Sequence, residues 1–227
     1  MHDILEQLSR LLTPSNLLFF GKAFLVTLSL SAASCVIGAA FGFVLAAVRL
    51  TKSAALLPAR WVSIAFTEIF RRIPPLVVLF LVFFTFSIAK IEMPTFTVAL
   101  IALCMIATAF ITEIVRGGLD TIPQAQWDAA ATMNFTLMDT LRLVVVPQAW
   151  RVIVPTLFVF FVMFIKDSAL ASQIGVMELT FVGKSYIDRG FSPVLAFGIV
   201  LILYFILSYP LALAGKWLEN RLASSRN

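Results

Sequence analysis

The strongest constraint on this chain is a set of long stretches without a charged residue. Ala23–Val48, Met93–Thr112 and Gly190–Gly215 each continue for 20 residues or more without Asp, Glu, Lys or Arg. At 1.5 Å per helical residue, about 20 residues cross a hydrocarbon core of about 30 Å. Ile73–Ala89 sits at the short limit, and the 14 residues Val152–Ile165 reach only about 21 Å. Residues of apolar type make up 61% of the chain and charged residues 13%, too few to coat 227 residues in water. The expected class is an all-α integral membrane protein with five crossings, the fourth irregular. The spans are placed at 23–48, 73–89, 93–116, 151–172 and 190–215, with an interfacial helix over 1–22 and a long loop over 117–150.

Five crossings put the termini on opposite sides. The segments 49–72, 113–151 and 216–227 hold eleven of the 17 Lys and Arg residues, and the other side holds six. The positive-inside rule then predicts a cytoplasmic C-terminus and an outer N-terminus. Ile4, Leu5, Leu8, Leu11 and Leu12 recur at helical spacing before Thr13-Pro14, as expected of an amphipathic helix on the outer interface. Acidic residues precede the first apolar stretch and no small-residue cleavage site follows, so a signal peptide is not expected. Gly38 and Gly42 form a GxxxG suited to close helix packing. Cys35 and Cys104 lie within apolar runs and read as small buried hydrophobes.

The net charge of +5 sits in loops, where its meaning is topological, so no nucleic-acid partner is expected. His2 is the only histidine, which argues against histidine catalysis and histidine metal sites. "GKS" at Gly183–Ser185 has Glu178 where a phosphate-binding loop needs glycine, so ATP hydrolysis by this chain is not expected.

The loop over 117–150 looks built. Thr121 with Gln124 fits a capping box, with Pro123 in the first turn. An alanine-rich helical stretch follows until Asn134, a residue able to close a helix in the left-handed conformation. Thr136 with Asp139 offers a second cap, and Pro147 and Pro155 mark later bends. A short helix, a turn and a second helix presenting Trp127 and Asp128 suit a partner's groove; an ordered loop packed on its own bundle is the other reading.

Lys166 and Asp167 interrupt "FVFFVMFIKDSALASQIGV" deep in the fourth span. Adjacent helical residues do not face each other, so the pair cannot neutralise itself. One reading breaks the helix there, with the charges facing a watery cavity and Ser168 adding a hydrogen bond. The other ends the helix at the interface, with Lys166 snorkelling to headgroups. Arg71-Arg72 before Pro74-Pro75 reads as a helix start anchored to inner headgroups, and Glu113 and Arg116 as an ion pair three residues apart.

"WDAAATMNFTLMDTLRLVVVP" resembles the EAA loop of ABC-importer permeases. Asp128-Ala129-Ala130 stands for Glu-Ala-Ala, Asn134 for the glycine, and Val144-Val145-Val146-Pro147 for the closing Ile-x-Leu-Pro. "FRRIPPLVVLF", "AFITEIVRGGL" and "KDSALASQIGVMELT" are similar to motifs of the polar amino-acid uptake permeases, the histidine, glutamine, glutamate and arginine type, in the same order. Pro75 and Val78 depart from that family's Leu and Gln.

The resemblance implies a non-catalytic permease subunit in a bacterial inner membrane. Its partners would be lipid, a second permease copy or sibling, an external amino-acid-binding protein, and an ATP-binding subunit dimer that holds ATP and Mg. Gln126, Trp127, Asp128, Ala129, Ala130, Asn134 and Pro147 would couple to the ATPase. In the cavity reading, Lys166, Asp167 and Ser168 would line the pathway and meet the two charges of the amino acid that the resemblance implies, while Arg71, Pro74, Glu113 and Arg116 would serve structure or gating. Two other functions remain: an autonomous ion-coupled carrier, which two matching halves would mark, and a membrane enzyme using Lys166 and Asp167.

Overall fold

The computed structural model describes residues 2–51 and 53–224. Lys52 and Arg226, and the side chains of His2, Ile4 and Leu5, lie outside that description. Among the described residues every regular element is helical. They are α1 (His2–Leu11), α2 (Pro14–Leu50), α3 (Leu57–Arg72), α4 (Pro75–Ile88), α5 (Thr95–Asp120), α6 (Gln124–Thr132), α7 (Leu137–Asp139), α8 (Val146–Asp167), α9 (Leu179–Asp188) and α10 (Pro193–Ser224). A π-helical stretch, Thr140–Val145, joins α7 to α8, and a 3-10 helix, Ser168–Ile174, follows α8.

Four segments are long and apolar enough to cross a membrane: Pro14–Leu50, Thr95–Asp120, Leu137–Ile174 and Pro193–Leu222. The chain is a multi-pass membrane protein. A fifth crossing requires taking the helices on either side of Ile73-Pro74 together, and these meet at 112°. The bend has a local cause. Ile73 precedes Pro74 and Pro74 precedes Pro75, and a residue before proline is driven out of the α region. Both are extended, with ψ of 135° and 133°. Pro75 then opens α4, where its missing N–H does no harm. The expected straight span over 73–89 is thus a 14-residue helix of about 21 Å hinged to an amphipathic one.

The contacts divide the chain into two compact units. The first comprises Met1–Ser34, Pro74–Cys104 and Val162–Leu211. Its core gathers Leu11, Phe20, Ala23, Leu179, Val182, Tyr186, Ala196 and Val200. Tyr186 stacks on Phe20 at 5.0 Å, and the Arg189 guanidinium lies over the Tyr186 ring at 5.3 Å. α1 is therefore docked, not merely laid on an interface: Leu11 is buried and Gln7 Oε1 accepts from Ser192 N at 2.8 Å.

The second unit comprises Cys35–Ile73, Met105–Phe161 and Ala212–Asn227. Glycines set its helix spacing. A Cβ on Gly38 would stand 2.5 Å from Ala107 Cβ, and one on Gly42 3.0 Å from Ile111 Cγ2. The GxxxG thus packs α2 on α5 within the chain. Gly215 meets Phe158 in the same way. Cys35 is buried and Cys104 half-buried, both as thiols.

Candidate functional site

The 117–150 segment forms the expected helix–turn–helix. α6 ends where Asn134 takes φ of 60°, the left-handed conformation. Thr136 caps the next turn in a full capping box: Asp139 N donates to Thr136 Oγ1, and Asp139 Oδ2 accepts from Thr136 N, both at 3.2 Å. The Thr121–Gln124 box does not form. Thr121 Oγ1 donates to Gly118 O at 2.7 Å, closing α5, and Pro123 stands at the cap position without a side-chain bond. The sequence pattern fits both uses, and the carbonyls left open at the end of α5 take the hydroxyl.

Ala130 faces inward and is buried, while Gln126, Asp128 and Ala129 are exposed. Trp127 is half-buried, and Gln124 Nε2 donates to Asp128 Oδ1 at 3.0 Å. Beside α6 lies a groove of about 590 Å³ lined by Leu119, Asp120, Trp127, Asp128, Phe135 and Leu137, among others. Met133 and Met138 flank the turn at 66% and 70% exposure. Two such pliable apolar side chains on one small knob form an adaptable contact surface. Pro147 lies at the start of α8, just after the π-helical stretch.

Glu113 and Arg116 pair as expected, with Arg116 Nε 2.9 Å from Glu113 Oε1. The cluster is larger than the sequence indicated. Arg49 Nη1 and Arg71 Nη1 stand 3.4 Å and 3.6 Å from Glu113 Oε2, and Arg116 also bonds Asp120. Arg71 is thus an ion-pair partner in this cluster, and its guanidinium lies over the Phe110 ring at 5.9 Å. Arg72 pairs with Glu68 on the exposed side of α3. Pro74 supplies the hinge described above and makes no side-chain cap.

Lys166 and Asp167 end α8, where the helix tightens into the 3-10 segment and stops at Gly175 with φ of 86°. The helix there narrows from α to 3-10 without unwinding. Lys166 is exposed and Asp167 half-buried, and neither has a side-chain hydrogen bond or ion pair among the described residues. Ser168 departs from expectation: it is fully buried and its hydroxyl donates to Ile165 O at 2.7 Å, so it braces the break and does not face outward.

Two residues of this region carried no signal of their own. Lys184, set aside with the accidental "GKS", reaches back to the 3-10 segment, its Nζ 3.3 Å from Ser172 Oγ. Glu178 is fully buried; Oε1 accepts from Phe181 N at 2.8 Å, capping α9, and Oε2 accepts from the Tyr204 hydroxyl at 2.7 Å. Burial pushes its carboxyl above the usual range, against the pull of those bonds.

Residues 38–224 match the family model described as "Binding-protein-dependent transport system inner membrane component". The chain is similar to the L-cystine transport system permease protein TcyB of Bacillus subtilis (strain 168), 34% identical over 80% of this chain and 79% of that one. It is 31% identical to the probable glutamine ABC transporter permease protein GlnP of the same organism, over 91% of this chain and 94% of the relative. A solved structure described as an amino acid ABC transporter with histidines superposes with a TM-score of 0.82 at 26% identity, covering 89% of this chain and 94% of the other. With the family match covering most of its length, the chain belongs to the inner membrane components of binding-protein-dependent transport systems.

Proposed function

We propose that the chain is the permease subunit of an ATP-driven importer and forms, with a second permease copy or a sibling, the pathway for a polar amino acid. The observation that carries this reading is the knob over 124–139, closed by the left-handed Asn134 and leaving Met133 and Met138 uncovered. It docks a separate ATPase dimer, which holds ATP and Mg, and Asp128 with the surrounding Gln126–Ala130 face forms the contact. An external binding protein delivers the substrate. The relatives named above are permeases for cystine and, in the probable case, glutamine, which supports an amino-acid cargo. The N-terminus lies outside and the C-terminus in the cytoplasm, on the distribution of Lys and Arg.

Lys166 and Asp167 meet the substrate's carboxylate and ammonium. Both are charges near a helix break, and neither has a partner among the described residues. Ser168 holds the backbone between them and the 3-10 segment.

The test is gentle purification of the tagged chain from its native membrane, beside an Asp128→Arg variant, with partners identified by mass spectrometry. An ATPase subunit recovered with the wild type and lost with the variant is the expected result. A wild-type chain recovered without an ATPase would overturn the reading and return attention to the autonomous carrier and the membrane enzyme.

A further inference from the structure

Arg49 closes α2, and its side chain is only 10% exposed. Three elements meet at its guanidinium. Nε donates to Ser63 Oγ at 3.0 Å, and Nη2 donates to Ser63 O at 2.8 Å and to Thr67 Oγ1, all on α3. Nη1 reaches Glu113 Oε2 on α5. Glu113 takes two further arginines, Arg71 from the end of α3 and Arg116 one turn on. Arg116 continues to Asp120, and Asp120 lines the groove beside α6 with Trp127 and Asp128. A line of polar contacts thus runs from the amphipathic helix α3, through Arg49, Glu113 and Arg116, to Asp120 at the end of α5, beside the groove that the knob borders.

The planar fork of an arginine can serve several acceptors at fixed angles, which a lysine ammonium cannot. A carboxylate shared by three guanidinium groups also has few alternative arrangements, since each lost pair leaves a poorly solvated charge. We infer that Arg49 is a positioning residue: it clamps α2 and α3 to Glu113, so that displacement of the 117–139 segment by a bound ATPase moves α2 and α3 with it. This rests on the reading of the knob as the ATPase-docking element. Coupling of this kind is read as the ratio of transport to ATP hydrolysis.

The complex of this chain with its ATPase is reconstituted in liposomes with its binding protein, and amino acid moved per ATP hydrolysed is measured. Arg49→Gln and Arg49→Lys are expected to retain the ATPase and its basal hydrolysis, while the ratio falls by about 3- to 30-fold. Combined with Glu113→Gln, Arg49→Gln lowers the ratio no further than the worse single change, because both act on one contact. A wild-type ratio in the Arg49 variants overturns the inference, as does additivity in the double variant. So does loss of the ATPase from these variants, which would make Arg49 a docking residue. If Arg49→Gln does not accumulate in the membrane, Arg49→Lys decides alone, and a wild-type ratio there is the contradicting result. A wild-type complex lacking any ATPase fails differently: it overturns the docking reading beneath.

Discussion

The Tyr204 hydroxyl donates to Glu178 Oε2 at 2.7 Å across 26 residues of sequence, joining α10 to the cap of α9. Glu178 is fully buried, so its carboxyl depends on this donor together with Phe181 N and Thr180. Tyr204→Phe keeps the ring and removes the donor. The expected cost is about 1–3 kcal/mol, read as a lower thermal midpoint in detergent. An unchanged midpoint would mean that the carboxyl finds another donor.

The same carboxyl gives stability a pH dependence. Burial raises its folded pKa above that of the unfolded chain, so the folded state binds the proton more tightly. Stability is then greatest below the unfolded value of about 4.3 and declines as pH rises from there through the folded pKa. Glu178→Gln, which keeps the cap acceptor and abolishes titration, is expected to flatten this decline in unfolding curves taken between acid and neutral pH. A slope identical in both proteins would assign the pH dependence to other groups.

Gly38 and Gly117 should respond oppositely to the same change. A Cβ at Gly38 would press into Ala107 Cβ at 2.5 Å, whereas one at Gly117 meets nothing within 4 Å. Gly38→Ala is expected to destabilise by about 1–3 kcal/mol. Gly117→Ala, which meets no clash in the last turn of α5, should be neutral or stabilising by up to about 1 kcal/mol. Recovery and melting temperature of the two purified variants, side by side, check this.

Asn134 occupies the left-handed region with φ of 60°. Asn134→Gly should leave the knob intact, while the β-branched Asn134→Val costs about 1–2 kcal/mol at that turn. Limited proteolysis between residues 124 and 139 reports the difference: faster cleavage of the Val variant, and wild-type cleavage of the Gly variant.

Lys166→Ala is expected to lower substrate affinity or transport rate by about 10- to 100-fold, the loss of one charge-assisted hydrogen bond. A purified variant with full affinity and rate would remove Lys166 from the substrate path and leave it at the lipid boundary.

The parts of this fold legible in sequence were those set by neighbours along the chain. Charge-free runs marked the long helices, and the Asn134 turn and the Thr136–Asp139 box followed from local backbone chemistry. The Thr121 box did not, because one hydroxyl could either accept from the start of α6 or donate to the end of α5, and the Gly118 carbonyl took it. Two successive prolines signalled a helix start, yet their joint effect, two extended residues and a 112° bend, is a matter of geometry that composition does not carry. Arg49 beside Glu113 was out of reach for a different reason. At a sequence separation of 64, nothing in either neighbourhood names the other. Burial likewise decided Ser168 and Glu178: a short hydroxyl and a carboxylate read as site residues or loop charges until their surroundings are known.

The most direct test of importer function is uptake of radiolabelled polar amino acids by cells lacking this chain, complemented with wild type or Asp128→Arg. Loss of energised uptake of one such amino acid, restored by the wild type and not by the variant although it reaches the membrane, is the result predicted. Uptake unchanged by removal of the chain, or supported in liposomes by the chain alone without an ATPase, would contradict the account.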